Sequence, residues 1–67
     1  MKTVYVVRVY GHPDGNRYIG KNGEHVIAPK GYQLMKFAES FGFATKEDAG
    51  KILYFINELA KYEKMED

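Results

Sequence analysis

Apolar positions recur with two different periods along this chain, and the change of period divides it. From Thr3 to Tyr10 the residues run Thr-Val-Tyr-Val-Val-Arg-Val-Tyr. They are β-branched or aromatic almost without interruption, the composition of a strand. Period two puts Thr3, Tyr5, Val7 and Val9 on one face and Val4, Val6, Arg8 and Tyr10 on the other. Both faces are largely apolar, which predicts a central strand partly covered on both sides. A single helix covers one side of a small sheet, so the side ending in Arg8 and Tyr10 is expected to stay open as a partner surface.

Gly11-His-Pro-Asp-Gly-Asn16 interrupts the pattern. Pro13 presets φ, Asp14 suits a tight turn and Gly15 accepts positive φ, so the chain should reverse here. Arg17-Tyr-Ile-Gly20 then reads as a short second strand antiparallel to the first. Asn22-Gly23 is a strong hairpin signal. It leads to a third strand over Glu24–Ala28, which Pro29 and Gly31 end.

The next segment satisfies two periods at once. Leu34, Phe37, Ala38 and Phe41 fit helical spacing, whereas Met35, Phe37, Phe41 and Phe43 fit alternation. Residue propensities, with Gly42 as a stop, favour a helix over Gln33–Phe41; a fourth strand is the alternative.

The last third reads as one amphipathic helix. Thr45 can cap it, with Asp48 three residues on in a variant of the capping box. Ala49, Ile52, Leu53, Ile56, Leu59 and Ala60 form a stripe at helical spacing, which extends the expected helix to Tyr62. Glu47 and Asp48 match the positive end of its dipole, and Lys61 and Lys64 the negative end. Tyr54 falls opposite the stripe. The expected fold is therefore α+β: a three- or four-stranded antiparallel sheet packed on one C-terminal amphipathic helix, with a short helix before it, as a single domain over residues 1–67.

Composition narrows the function. Sixty-seven residues form a domain of marginal stability. Cysteine is absent, which removes disulfides and thiolate metal sites and suggests a cytoplasmic protein. No segment has the length or apolarity of a membrane span. Without staples, such a chain can gain stability as a homodimer. Net charge is +1, so no polyanionic partner is demanded. Residues 1–44 carry six Lys/Arg and three Asp/Glu; residues 45–67 carry four and six. The difference is mild.

The catalytic inventory is thin. Ser40 is the single serine, no phosphate-binding glycine loop is present, and Gly20-Lys-Asn-Gly23 is better used as a hairpin turn. His12 lies in a turn near Asp14, and His25 in a strand beside Glu24. Two histidines and a carboxylate can bind a metal or transfer protons if they converge. Their spacing gives no sign of convergence, so no catalytic residue, metal or cofactor is assigned. A non-enzymatic protein-interaction module is the preferred reading. Its contact residues would be Val4, Val6, Arg8, Tyr10 and Tyr18, since Tyr and Arg are enriched at interfaces. The partner would be another protein or a second copy of the chain. The alternative is a weak nucleic-acid binder using Arg8, Arg17, Lys21 and Lys30, with Tyr10, Tyr18 and Tyr32 as stacking surfaces.

Phe43-Ala-Thr-Lys-Glu-Asp-Ala49 resembles the strand-to-helix junction of the plant ethylene-response-factor type DNA-binding domain. That likeness implies a three-stranded antiparallel sheet on one helix. The chain has no Trp and no Arg-rich first strand, so the likeness carries topology and not DNA reading. The whole layout, from Tyr-Val-Val-Arg-Val through Arg-Tyr-Ile-Gly to the final helix, is also similar to small orphan proteins of bacteriophages and prophages. That second likeness implies a protein that binds a host protein.

Overall fold

A computed structural model describes residues 2–28 and 34–66. Its elements are β1 (Thr3–Val9), β2 (Arg17–Ile19), β3 (His25–Ile27), α1 (Leu34–Phe41), α2 (Lys46–Phe55) and β4 (Ala60–Glu66). The four strands form one antiparallel sheet in the order β3-β2-β1-β4. The fold is α+β, as the change of period predicts.

β1 is one of the two inner strands, and its two apolar faces explain the layering. On one face Val6, Tyr18 and Ala28 pack against Ala38 and Phe41 of α1, with Val4, Val26, Leu34 and Met65 around them. On the other, Val7, Val9 and Ile19 pack with Phe43 and with Ala49 of α2, bordered by Tyr5, Ile52, Leu53, Ile56 and Ala60. Each face thus has its own helix. At about 25 cal/mol per Å² of buried apolar surface, the two layers together supply the driving force that a domain this small needs.

The turns follow their local chemistry. Gly15 and Gly23 both adopt positive φ, at 70° and 81°, where a side chain would be strained. Gly42 matters for a different reason. A Cβ there would collide with Val4 Cγ1 and the Ala38 carbonyl oxygen. This close approach lets α1 end against β1, and Phe43 then pairs with Tyr5 through two backbone hydrogen bonds of 2.7 and 2.8 Å. Phe43 continues the ladder beyond the short β2.

Two expectations are corrected. The first concerns the last helix. Its start is as read: the Asp48 amide donates to Thr45 Oγ1 at 3.2 Å, and Thr45 is extended, as an N-cap should be. Its end is not at Tyr62. The helix stops at Phe55, Ile56 turns extended, and Ala60–Glu66 form a strand in register with β1 from Val9↔Ala60 to Thr3↔Glu66. The physical reason lies in β1. Val6 and Val7 are fully buried, so their backbone groups need partners on both edges. The pairs of β2 with β1 are limited to Val7↔Ile19 and Arg8↔Tyr18, and β4 covers the whole of the other edge. Tertiary pairing overrides the helical stripe after Ile56.

The second correction concerns the face expected to be open. α1 covers it. Val6 is 0% and Tyr18 4% exposed, and the Tyr18 and Phe41 rings lie 5.5 Å apart. Both side chains are covered in the folded domain. The expected start of α1 at Gln33 lies outside the described residues; its end at Phe41 is as read.

Candidate functional site

Three segments distant in sequence meet at one end of the sheet. His12 belongs to the turn between β1 and β2, and His25 opens β3. Glu58 lies in the turn between α2 and β4. Glu58 Oε2 is 2.7 Å from His25 Nε2, and Glu58 Oε1 is 3.4 Å from His12 Nε2. The imidazole rings stand nearly perpendicular, with centroids 5.6 Å apart. Since β3 and β4 are the outer strands, one carboxylate links the approach to one edge of the sheet with the start of the other.

The surroundings set the protonation pattern. Arg17 donates through Nε and Nη2 to Asp14 Oδ2, at 3.1 and 2.7 Å. Its Nη1 stands 3.1 Å from His25 Nδ1. A guanidinium can only donate, so His25 Nδ1 accepts and Nε2 carries the proton towards Glu58. The His25 hydrogen bond holds the Glu58 carboxyl below its ordinary pKa, against partial desolvation, and His12 adds to the effect. Asp14 is lowered mainly by its hydrogen bond from Arg17. Asp14 Oδ1 is buried without a hydrogen-bond partner, an acceptor left over at the edge of the cluster.

Among the described residues, His12, His25 and Glu58 are the group of three whose ligand atoms all lie within 4.8 Å of one another. The two histidines were visible in the sequence, but their convergence was not. Glu58 was missed because an unbroken helix would have made it one of several exposed acids. Asn57, a turn-favouring residue directly before it, was the local hint that the helix ends.

The residues expected to bind a partner are dispersed. Val6 and Tyr18 are buried, and Val4 is partly buried against α1. Arg8 Nη2 donates to the Gly15 carbonyl at 2.7 Å, and the guanidinium lies 5.6 Å from the Tyr10 ring centroid and 3.9 Å from Glu63. Tyr10 remains partly exposed, its hydroxyl 3.4 Å from Glu63. Of the cations expected to meet nucleic acid, Arg8 and Arg17 have their heads engaged internally, and Lys21 is exposed. Lys30 lies outside the described residues.

Large apolar side chains do reach solvent elsewhere. Tyr54 is 91%, Phe55 82% and Leu59 72% exposed, all within six residues at the end of α2 and the turn after it. The Tyr10 amide donates to the Leu59 carbonyl at 2.9 Å, which brings Tyr10 beside this corner. Tyr10, Leu59 and Lys61 line a shallow depression there. No family model, curated protein or solved structure matches the chain.

Proposed function

We propose that the chain is a non-enzymatic protein-interaction module, acting in the cytoplasm, whose contact surface is the corner between α2 and β4. The observation that carries this reading is the exposure of Tyr54, Phe55 and Leu59, the three most exposed large apolar side chains among the described residues, within one short stretch of chain. Single exposed apolar residues are ordinary, but several large ones at one corner mark a contact surface. Tyr10, from the contact set expected from sequence, adjoins them through Leu59. The likeness to small phage proteins adds a host protein as the kind of partner. Nucleic-acid binding has less support, because the Arg8 and Arg17 guanidinium groups are committed to internal contacts.

Site-specific photo-crosslinking tests the reading. A benzophenone amino acid at Tyr54 should yield a discrete adduct in cells, and the same group at Glu47, exposed at the start of α2, should not. Phe55→Ser should abolish the Tyr54 adduct. Absence of any adduct at Tyr54, or equal adducts at both positions, contradicts the proposal. An adduct of twice the chain's mass identifies the partner as a second copy.

A further inference from the structure

We infer that His12, His25 and Glu58 form a binding site for a borderline divalent cation of the zinc type. The donors are two imidazole nitrogens and a carboxylate, the set that suits zinc and its late first-row neighbours rather than magnesium or calcium. Tetrahedral bonds of about 2.0–2.1 Å place ligand atoms about 3.3 Å from one another. His12 Nε2 and Glu58 Oε1 already stand 3.4 Å apart. His25 Nε2 donates to the other carboxylate oxygen, Oε2, at 2.7 Å. With one atom taken from each residue, the three ligand atoms all lie within 4.8 Å of one another, so the side chains have only to draw together around the cation that replaces this hydrogen bond.

All three side chains are partly exposed, so a cation can enter and a fourth position stays open to water. Each ligand comes from a different segment, and each is tied to the sheet. His12 is flanked by Gly11 and Pro13 in the first turn, and His25 is in register with Ile19. Glu58 is two residues from the start of β4.

One contact opposes the cation. Arg17 donates to His25 Nδ1, the atom that must hold the ring proton once Nε2 binds metal. Arg17 can give up this contact at little loss, because Asp14 retains it through two other hydrogen bonds. The proton on Nε2 then moves to Nδ1 through solvent, so the ring stays neutral and Nε2 is freed for the cation, with Glu58 remaining ionised as a ligand. Bound cation would pin the α2–β4 turn to β3 and to the β1–β2 turn. Because Glu58 directly precedes Leu59, it would also hold the apolar corner in one conformation. The site itself does not depend on that corner having a partner.

Zinc titration of the full chain in chelator-treated buffer, followed by imidazole and amide NMR, tests the site. Saturation at one equivalent should shift His12 and His25 together, and magnesium should leave both unchanged. His25→Ala and Glu58→Gln should each weaken binding by at least about tenfold, the loss that even supporting residues of metal sites produce. Cobalt(II) gives a readout that needs no variant: it should broaden resonances around His12, His25 and Glu58 and spare α1. No saturable shift at millimolar zinc overturns the site. So does binding that both variants leave unchanged, or cobalt broadening centred elsewhere.

Discussion

The two faces of the sheet are covered to different ends. On the α1 face the short helix Leu34–Phe41 seals Val6 and Tyr18. On the α2 face the helix seals Val7 and Ile19 with Ala49, Ile52 and Leu53, then runs past its cover. Its last residues put Tyr54 and Phe55 in solvent, and the turn that follows carries Glu58 to two histidines and leaves Leu59 outside. An apolar strand face is thus no guide to function until its cover is known. In this domain the chemistry collects where a covering element ends.

The sharpest way to break this comparison is to attack the face described as closed. Phe41→Ala removes a buried ring from under Tyr18 and should cost about 3–5 kcal/mol, measured by denaturant unfolding. A loss below about 0.5 kcal/mol, the size of an ordinary surface substitution, would mean that the α1 face is open. On the other face, Thr45→Ala removes the cap that starts α2 and should cost about 1 kcal/mol by the same measurement.

Glu58 sharpens the comparison through pH. Its folded pKa is lowered, so its contribution is complete above the unfolded carboxylate value of about 4.3. That contribution is lost as pH falls through the lower folded value. Melting curves in metal-free buffer should therefore show a steeper acid loss for the parent than for Glu58→Gln. Identical acid limbs would place Glu58 away from the histidines. The smallest expected effect is at the corner itself. Phe55→Ser should change stability by no more than about 0.5 kcal/mol while removing the Tyr54 crosslink. A large stability loss would make Phe55 part of the core and not of a contact surface.

Much of the fold is legible in the residues. The alternation of β1, the glycine turns, the short helix ending at Phe41 and the Thr45 cap are all local signals, and local signals act within a few residues. What could not be read locally was the competition for residues 56–66. There a helical stripe, Ile56 to Ala60, meets the unpaired edge of a buried strand far outside the reach of any local sequence window. The edge prevails because the backbone groups of Val6 and Val7 cannot be left unpaired. The candidate site depends on that outcome. His12 and His25 were recognisable as potential ligands, but their carboxylate arrives only because the helix stops.

Both the exposed corner and the meeting of Glu58 with the histidines depend on the break after Phe55, and nuclear Overhauser contacts across β1 and β4 test that break most directly. Backbone contacts between Val7 and Tyr62 and between Tyr5 and Lys64 are expected, with helical sequential amide contacts ending near Ile56. Helical amide contacts continuing to Tyr62, with none linking that segment to β1, would contradict the account, because Glu58 would then have no route to His12 and His25.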